Sequence, residues 1–377
     1  MKNIVLFLGA GTSKAFGYPL TREILPNIIT AINEETLFKN AGKVLAAEYR
    51  FMLKNLLISL SPGIAHYLEK RTIEDKSSLP LVTELLSQVD YSIISFRDIK
   101  DWNFEFGNQI IRKPESLRSR WQLDDLKALF EWAIISEIQP KKREITKGKE
   151  GIPHSLDGFI EWIKKTNRSG KAFATVITSN YDYSLEWSLL DWGEANDAYK
   201  IFDYGLSWRN PFDKGEVFLR PAKSRFKIFK LHGSSDWLQC QRCGYIYINT
   251  TEDLMKIPFS NKKEEYNTCH CGYWPLKPIL VTPSFARSFY DSNLYEIWKA
   301  SLEALRTANE WIIIGYSLPA EDLNIKSLFL RSLQGRENWP VIKVIQQPNS
   351  SSVQYDNFFG KGKYEFITDG FENYVFH

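Results

Sequence analysis

The chain has 377 residues, 44% of them hydrophobic and 25% charged, with a formal net charge of +3. This usage excludes a disordered or collagen-like chain, and the length admits one large domain or two ordinary ones. The near balance of charge gives no footprint for a nucleic acid or an anionic membrane surface, and no run reaches the roughly 18 apolar residues a membrane helix needs.

Lys2 followed by Ile4–Leu8 has the look of a leader. However, the apolar run ends after five residues in Gly-Ala-Gly, so residues 3–8 read as a buried parallel strand, and a cytoplasmic setting is the expectation. Gly9, Ala10, Gly11, Thr12 and Ser13 then sit where the strand turns into a helix. Glycine lets a backbone approach a pyrophosphate, and helix-start amides with the Ser13 hydroxyl donate to it; the plain alternative is a tight turn with no ligand. The usual dinucleotide fingerprint is incomplete, because Lys14 stands at its third glycine and the next glycine is Gly17. Helical spacing follows over Val44–Ser59, Leu79–Ser95, Leu117–Ile138 and Ser155–Thr166, read as a helical insertion over 32–169. Within it, the charged stretch 141–151 reads as a solvated loop. Trp102, Phe104 and Phe106 read as core, or alternatively as an interface.

Strand signals return at Ala172–Thr178, Lys227–Leu231, Ile279–Thr282, Trp311–Gly315 and Val341–Ile345, with helices such as Leu294–Leu305 and Ala320–Leu333 between several of them. The expected fold class is therefore α/β: a doubly wound, Rossmann-like parallel sheet with the helical insertion and a small zinc-ribbon module. Asn180 and Asp182 follow the 172–178 strand and suit ribose hydroxyls, a water or a carboxamide, or else an Asx-turn that ends the strand. His232 follows the 227–231 strand and, taken alone, suits a structural hydrogen-bonder as well as a base. Cys240, Cys243, Cys269 and Cys271 form two tight pairs, each beside a glycine. Four thiolates close a tetrahedral Zn²⁺ site with no open position, so the metal is expected to be structural, held in a module over 236–276. His270 reads as a bystander. Glu252, Asp253, Glu264 and Glu265 lie between the pairs, so direct nucleic-acid binding is not expected.

In their order along the chain, these signatures resemble the sirtuin family. Gly9–Ser13, Gly17-Tyr18-Pro19 with Arg22, Thr178–Asp182, His232-Gly233, the four cysteines and Gly315-Tyr316-Ser317 carry the likeness. Leu20 and Thr21 replace the family's Asp-Phe, and Thr282-Pro283-Ser284-Phe285 replaces the Phe-Gly-Glu that pairs with an acyl-lysine peptide. With the long insertion, the chain looks like the sirtuin-like NADases of prokaryotic antiphage systems. The resemblance implies NAD⁺ as substrate and an NAD⁺-binding catalytic domain over 1–31 and 170–377. Asn180 and His232 are then catalytic. Gly9, Ala10, Gly11, Thr12, Ser13, Pro19, Arg22, Thr178, Asp182, Gly315 and Ser317 bind the dinucleotide, with adenosine near Gln346 and Asn349. It also implies control by self-assembly into a homo-oligomer or by a partner such as a HerA-type ATPase or a short Argonaute. The rival readings are an NAD-dependent protein deacylase, a non-enzymatic NAD or ADP-ribose sensor, and a zinc-ribbon nucleic-acid adaptor.

Overall fold

A computed structural model describes residues 1–68, 78–95, 123–138, 156–190, 201–211, 217–248, 267–281, 292–320 and 322–376. The 141–151 loop, Trp102, Phe104, Phe106, Glu252, Asp253, Glu264, Glu265, Thr282–Phe285 and the start of the helix expected from Leu117 lie outside them.

The apolar run after Lys2 forms β1 (Lys2–Leu8), buried from Ile4 onward as an inner strand of a parallel sheet must be. Its neighbours are β2 (Ala172–Thr178) on one side and β10 (Glu310–Ile314) on the other, both parallel and in continuous register. With β3 (Phe202–Asp203), β6 (Phe226–Lys230), β11 (Val341–Ile345) and β12 (Glu365–Ile367), the sheet runs β12-β11-β10-β1-β2-β6-β3, parallel throughout. The chain builds outward from β1 in one direction and later in the other, which makes β1 the switch point of a doubly wound α/β fold. Phe7 anchors the core beneath it, 4.9 Å from both the Tyr316 and Phe329 rings in edge-on contacts.

A second, five-stranded sheet runs β5-β4-β8-β7-β9. It holds β4 (Trp208–Arg209), β5 (Val217–Phe218), β7 (Gly233–Gln239), β8 (Ile246–Ile248) and β9 (Lys277–Leu280). The strand expected at Ile279–Thr282 therefore does not join the parallel sheet: β9 pairs antiparallel with β7. The cysteine module turns the chain back between these two strands, and a returning chain pairs antiparallel where a parallel neighbour needs a crossover.

The four expected helices appear as α3 (Lys43–Leu60), α4 (Val82–Ser95), α5 (Leu123–Ile138) and α6 (Asp157–Arg168), following α1 (Ala10–Ala15) and α2 (Thr21–Asn33). Helix α5 packs on α2, α3, α4 and β9. Its docking on the edge strand is polar: Lys277 Nζ meets Asp125 Oδ1 at 2.9 Å, and the buried Glu131 carboxyl accepts the Leu280 backbone N–H. Burial pushes the Glu131 carboxyl up to about 7, with Lys127 opposing the rise and Asp90 adding to it. The native chain thus keeps a proton that the unfolded chain releases. Stability is full below the unfolded carboxyl's pKa, drains as pH rises toward 7 and is flat above. Glu131→Gln should consequently melt above wild type at pH 8, by up to about 3 kcal/mol, and close to it at pH 5. An equal difference at the two pH values in calorimetry would count against a protonated Glu131.

Candidate active site

The carboxyl ends of β10, β1 and β2 meet at the switch point, where open α/β sheets bind ligands. Two of the glycines there serve backbone crossing. A Cβ on Gly9 would lie 2.5 Å from Tyr316 Cα, and one on Gly11 would lie 2.8 Å from Gly315 Cα. Gly9 N donates to Ile314 O and Gly11 N to Gly315 O, both at 2.9 Å, while Thr12 N donates to Gly9 O and Thr12 Oγ1 to Ile314 O. Gly315, the residue after β10, answers with φ of +61°. The loop is consequently pinned to β10, and three of the amides that the sequence offers to a pyrophosphate are already donating.

A cavity of about 230 Å³ opens at this edge. Of the predicted residues, Ala10, Ser13, Pro19, Asn180, Asp182, His232, Gly315 and Ser317 line it. Gly9, Gly11, Thr12, Arg22 and Thr178 do not, and Gln346 instead donates from Nε2 to Tyr316 O at 2.6 Å.

The loop after β2 is held on three sides. Ser179 N donates to Leu8 O at 3.2 Å, Asn180 N to Thr178 Oγ1 at 3.0 Å, and Asn180 Nδ2 to Gly9 O at 2.8 Å. Ser235 N and Ser234 Oγ reach Tyr181 O from β7 at 2.7 and 3.0 Å, and Tyr181 Oη donates to Val281 O. Asp182 accepts from the hydroxyls of Ser13 and Ser184, and from Ser184 N at the start of α7 (Ser184–Leu189). Two side chains assigned to different parts of a dinucleotide are thus bonded to each other. In this arrangement the single Ser13 proton is committed to Asp182.

His232 lies at the step from β6 into β7, where the chain leaves the parallel sheet for the second one. It is 3% exposed, and its ring centre is 6.4 Å from those of Tyr181 and Trp298. Its backbone carbonyl accepts Val281 N at 2.8 Å, so the edge of the second sheet fixes its main chain.

Sequence reasoning missed several lining residues. Asp322, 2% exposed, sits at the start of the 323–333 helix and accepts the Tyr316 hydroxyl at 2.6 Å. A carboxylate five residues beyond Ser317 at a helix start was a readable signal. Leu81, Thr83 and Ile138, from the 32–169 stretch, also line the cavity; no spacing announces them. Among the described residues, the lining carries two carboxylates and one imidazole but no lysine or arginine.

The four cysteine sulfurs lie within 4.8 Å of one another, with Cys240–Cys271 at 3.6 Å and Cys243–Cys269 at 3.5 Å. Zn–S bonds of about 2.3 Å in a tetrahedron place sulfurs about 3.8 Å apart, so the cluster fits such an ion. Arg242 N and the Tyr247 hydroxyl, each at 3.4 Å from a sulfur, suit thiolate charge. No described helix is long and apolar enough to cross a membrane.

No curated protein matches the chain. Among solved structures, it is similar to a sirtuin described for substrate affinity, at 13% identity, covering 97% of this chain and 88% of that one with a TM-score of 0.37. It is also similar to a Sir2 enzyme described for mechanism and regulation (12%, 99% and 89%, 0.38) and to a Sir2 with p53 peptide and NAD⁺ (12%, 97% and 88%, 0.36). The segment that supplies Asn180, His232, the four cysteines and Ser317, residues 174–358, matches the family model of the SIR2-like domain.

Proposed function

We propose that the chain is an NAD⁺ glycohydrolase that breaks the nicotinamide–ribose bond to give nicotinamide and ADP-ribose. The observation that carries the proposal is the convergence of Ser13, Asn180, Asp182, His232 and Ser317, from four separate strand ends, on one cavity. The SIR2-like match over 174–358 supports a Sir2-family, NAD-dependent chemistry for it. Ligands of drug size fill about 300–1,000 Å³, so this cavity encloses one end of the dinucleotide. In this reading residues 1–31 and 170–377 form the catalytic domain, 32–169 the insertion and 236–276 a module held by structural Zn²⁺ on the four cysteines.

Nicotinamide leaves as a neutral molecule from a cationic bond, so departure needs little acid help. The transition state is oxocarbenium-like, and stabilising it is the protein's task. With Nδ2 donating to Gly9 O, Asn180 offers Oδ1 to a ribose hydroxyl or the attacking water. Asp182 accepts the carboxamide N–H, and the absence of cationic side chains among the described lining residues favours positive charge at the anomeric carbon. His232 removes a proton from a ribose hydroxyl or from the water. A pyrophosphate draws the Ser13 hydroxyl away from Asp182 and leaves that carboxylate open to the nicotinamide side.

The β9 edge supports hydrolysis over peptide deacylation. A peptide that reads a sheet edge needs exposed backbone groups, and here Glu131 and Asp125 of α5 already engage that strand. By resemblance, the activity serves antiphage defence by NAD⁺ depletion in the cytoplasm, under control of self-assembly or a partner protein such as a HerA-type ATPase or short Argonaute. The test is incubation of the protein with NAD⁺ and no peptide, quantifying nicotinamide and ADP-ribose for wild type and Asn180→Ala. Release lost in the variant supports the reading. NAD⁺ bound without turnover turns it into a sensor, and release only with an acyl-lysine peptide turns it into a deacylase.

A further inference from the structure

Lys230 ends β6 two residues before His232, and its side chain is 1% exposed. An ammonium that deep is costly unless it is paired and hydrogen-bonded. Its Nζ donates to the main-chain carbonyl of Asp182 and, at 3.1 Å, to Glu186 Oε1 on α7. Asp236, on β7, adds a further carboxyl: burial lifts it to about 7, with Lys230 opposing the rise and Glu186 reinforcing it. Burial works against the Lys230 ammonium as well, but Glu186, Asp236 and Asp182 outweigh it, and its pKa is raised. The group stays charged across the physiological range.

Asp182 stands between two hollows. On one side is the main cavity; on the other is a pocket of about 20 Å³ bordered by Ser13, Asn180, Asp182, Glu186 and Lys230, room for a single water. Lys230 borders this small pocket and is not among the residues lining the main cavity, so the ammonium grips the loop without lining the cavity itself. We propose that Lys230 is a positioning residue: by bridging the Asp182 carbonyl and the Glu186 carboxylate, it fixes the loop that presents Asn180 and Asp182 to the cavity. Stability alone does not call for a lysine here, since a well-packed apolar side chain often serves as well as a buried ion pair. Holding a main-chain carbonyl is what an apolar side chain cannot do.

The catalytic consequence rests on the NAD⁺ hydrolase reading; the geometric part does not. Lys230→Met strands Glu186, so the decisive variant is Lys230→Met/Glu186→Gln, which removes the hydrogen-bonded pair together and leaves Asp236, no longer facing the ammonium, to hold its proton. Two readouts apply to it. In hydrogen exchange without NAD⁺, amides of residues 179–184 should exchange about tenfold faster while β1 and β2 are unchanged. In NAD⁺ turnover, kcat should fall about 100-fold with KM moved less than about threefold. Unchanged loop exchange, exchange raised throughout the sheet, or a wild-type kcat in the folded double variant would each overturn the proposal. A wild type that cleaves no NAD⁺ would sink the hydrolase reading alone, and the exchange result would still decide the role of Lys230.

Discussion

His232→Ala should lower NAD⁺ cleavage by about 10²- to 10⁴-fold at saturating substrate, the usual worth of a positioned general base. The expectation rests on where the imidazole sits. It is almost wholly buried, it lines the cavity that Asn180 and Asp182 also line, and the aromatic rings of Tyr181 and Trp298 flank it. The backbone around it is fixed by the Val281 amide, so truncating the side chain leaves the strand step in place. Nicotinamide release at saturating NAD⁺, together with ADP-ribose binding, separates the two roles open to this residue. A large fall in kcat with binding kept marks a group acting in the transition state. Activity within a few-fold of wild type would remove His232 from the chemistry and leave the ribose to Asn180.

A Cβ at Gly233 meets a closer obstacle than one at Gly9, Gly11 or Gly315, and Gly233→Ala should be strongly disruptive. Gly233 has φ of +76°, and a Cβ there would lie 2.2 Å from the Ile279 carbonyl oxygen, well inside contact. The obstacle is backbone in a neighbouring strand rather than the tip of a flexible side chain. Relief requires β7 and β9 to separate where Gly233 and Leu280 face each other. Left-handed strain and overpacking each cost on the order of 1–3 kcal/mol, so a loss of about 3 kcal/mol or more is expected. Because β7 begins where His232 ends, the same shift displaces the imidazole. Chemical denaturation should show a lower midpoint, and any folded fraction should turn over slowly. A variant as stable as wild type would mean that the strands give way more easily than their pairing suggests.

The contrast between His232 and Lys230 shows what a sequence displays and what it conceals. His232 was legible because a titratable residue after an apolar strand, followed by glycine, marks a strand end. Lys230 carried no signal of its own within the 227–231 strand, and only the turn of α7 brings Glu186 to it. The parallel sheet was legible for the same reason as β1: inner strands are short continuous apolar runs. Strand β7 was not, because Gly-Ser-Ser-Asp lacks that signature and pairs through its backbone. The misplacement of β9 has a similar origin, since an apolar run reports burial but not the direction of its neighbour. The glycines at 9 and 11 permit a close approach, and in the fold that approach is to Gly315 and Tyr316. Leu81, Thr83 and Ile138 were beyond reach, for helical spacing says which face is buried and not what it is buried against.

The placement of β1 at the centre of its sheet also bears on how this chain is made. Leu8 leaves the ribosome long before its two neighbours, Thr178 and Ile314. At about 5–20 residues per second, the first strand waits on the order of 15–60 s for its second partner. Until then an apolar strand has an open edge, a hazard during synthesis. The same delay withholds the cavity, because Ser13 and Ser317 cannot meet before β10 is in place. On the hydrolase reading, the site would thus stay unformed on the ribosome until the residues around Ser317 have emerged.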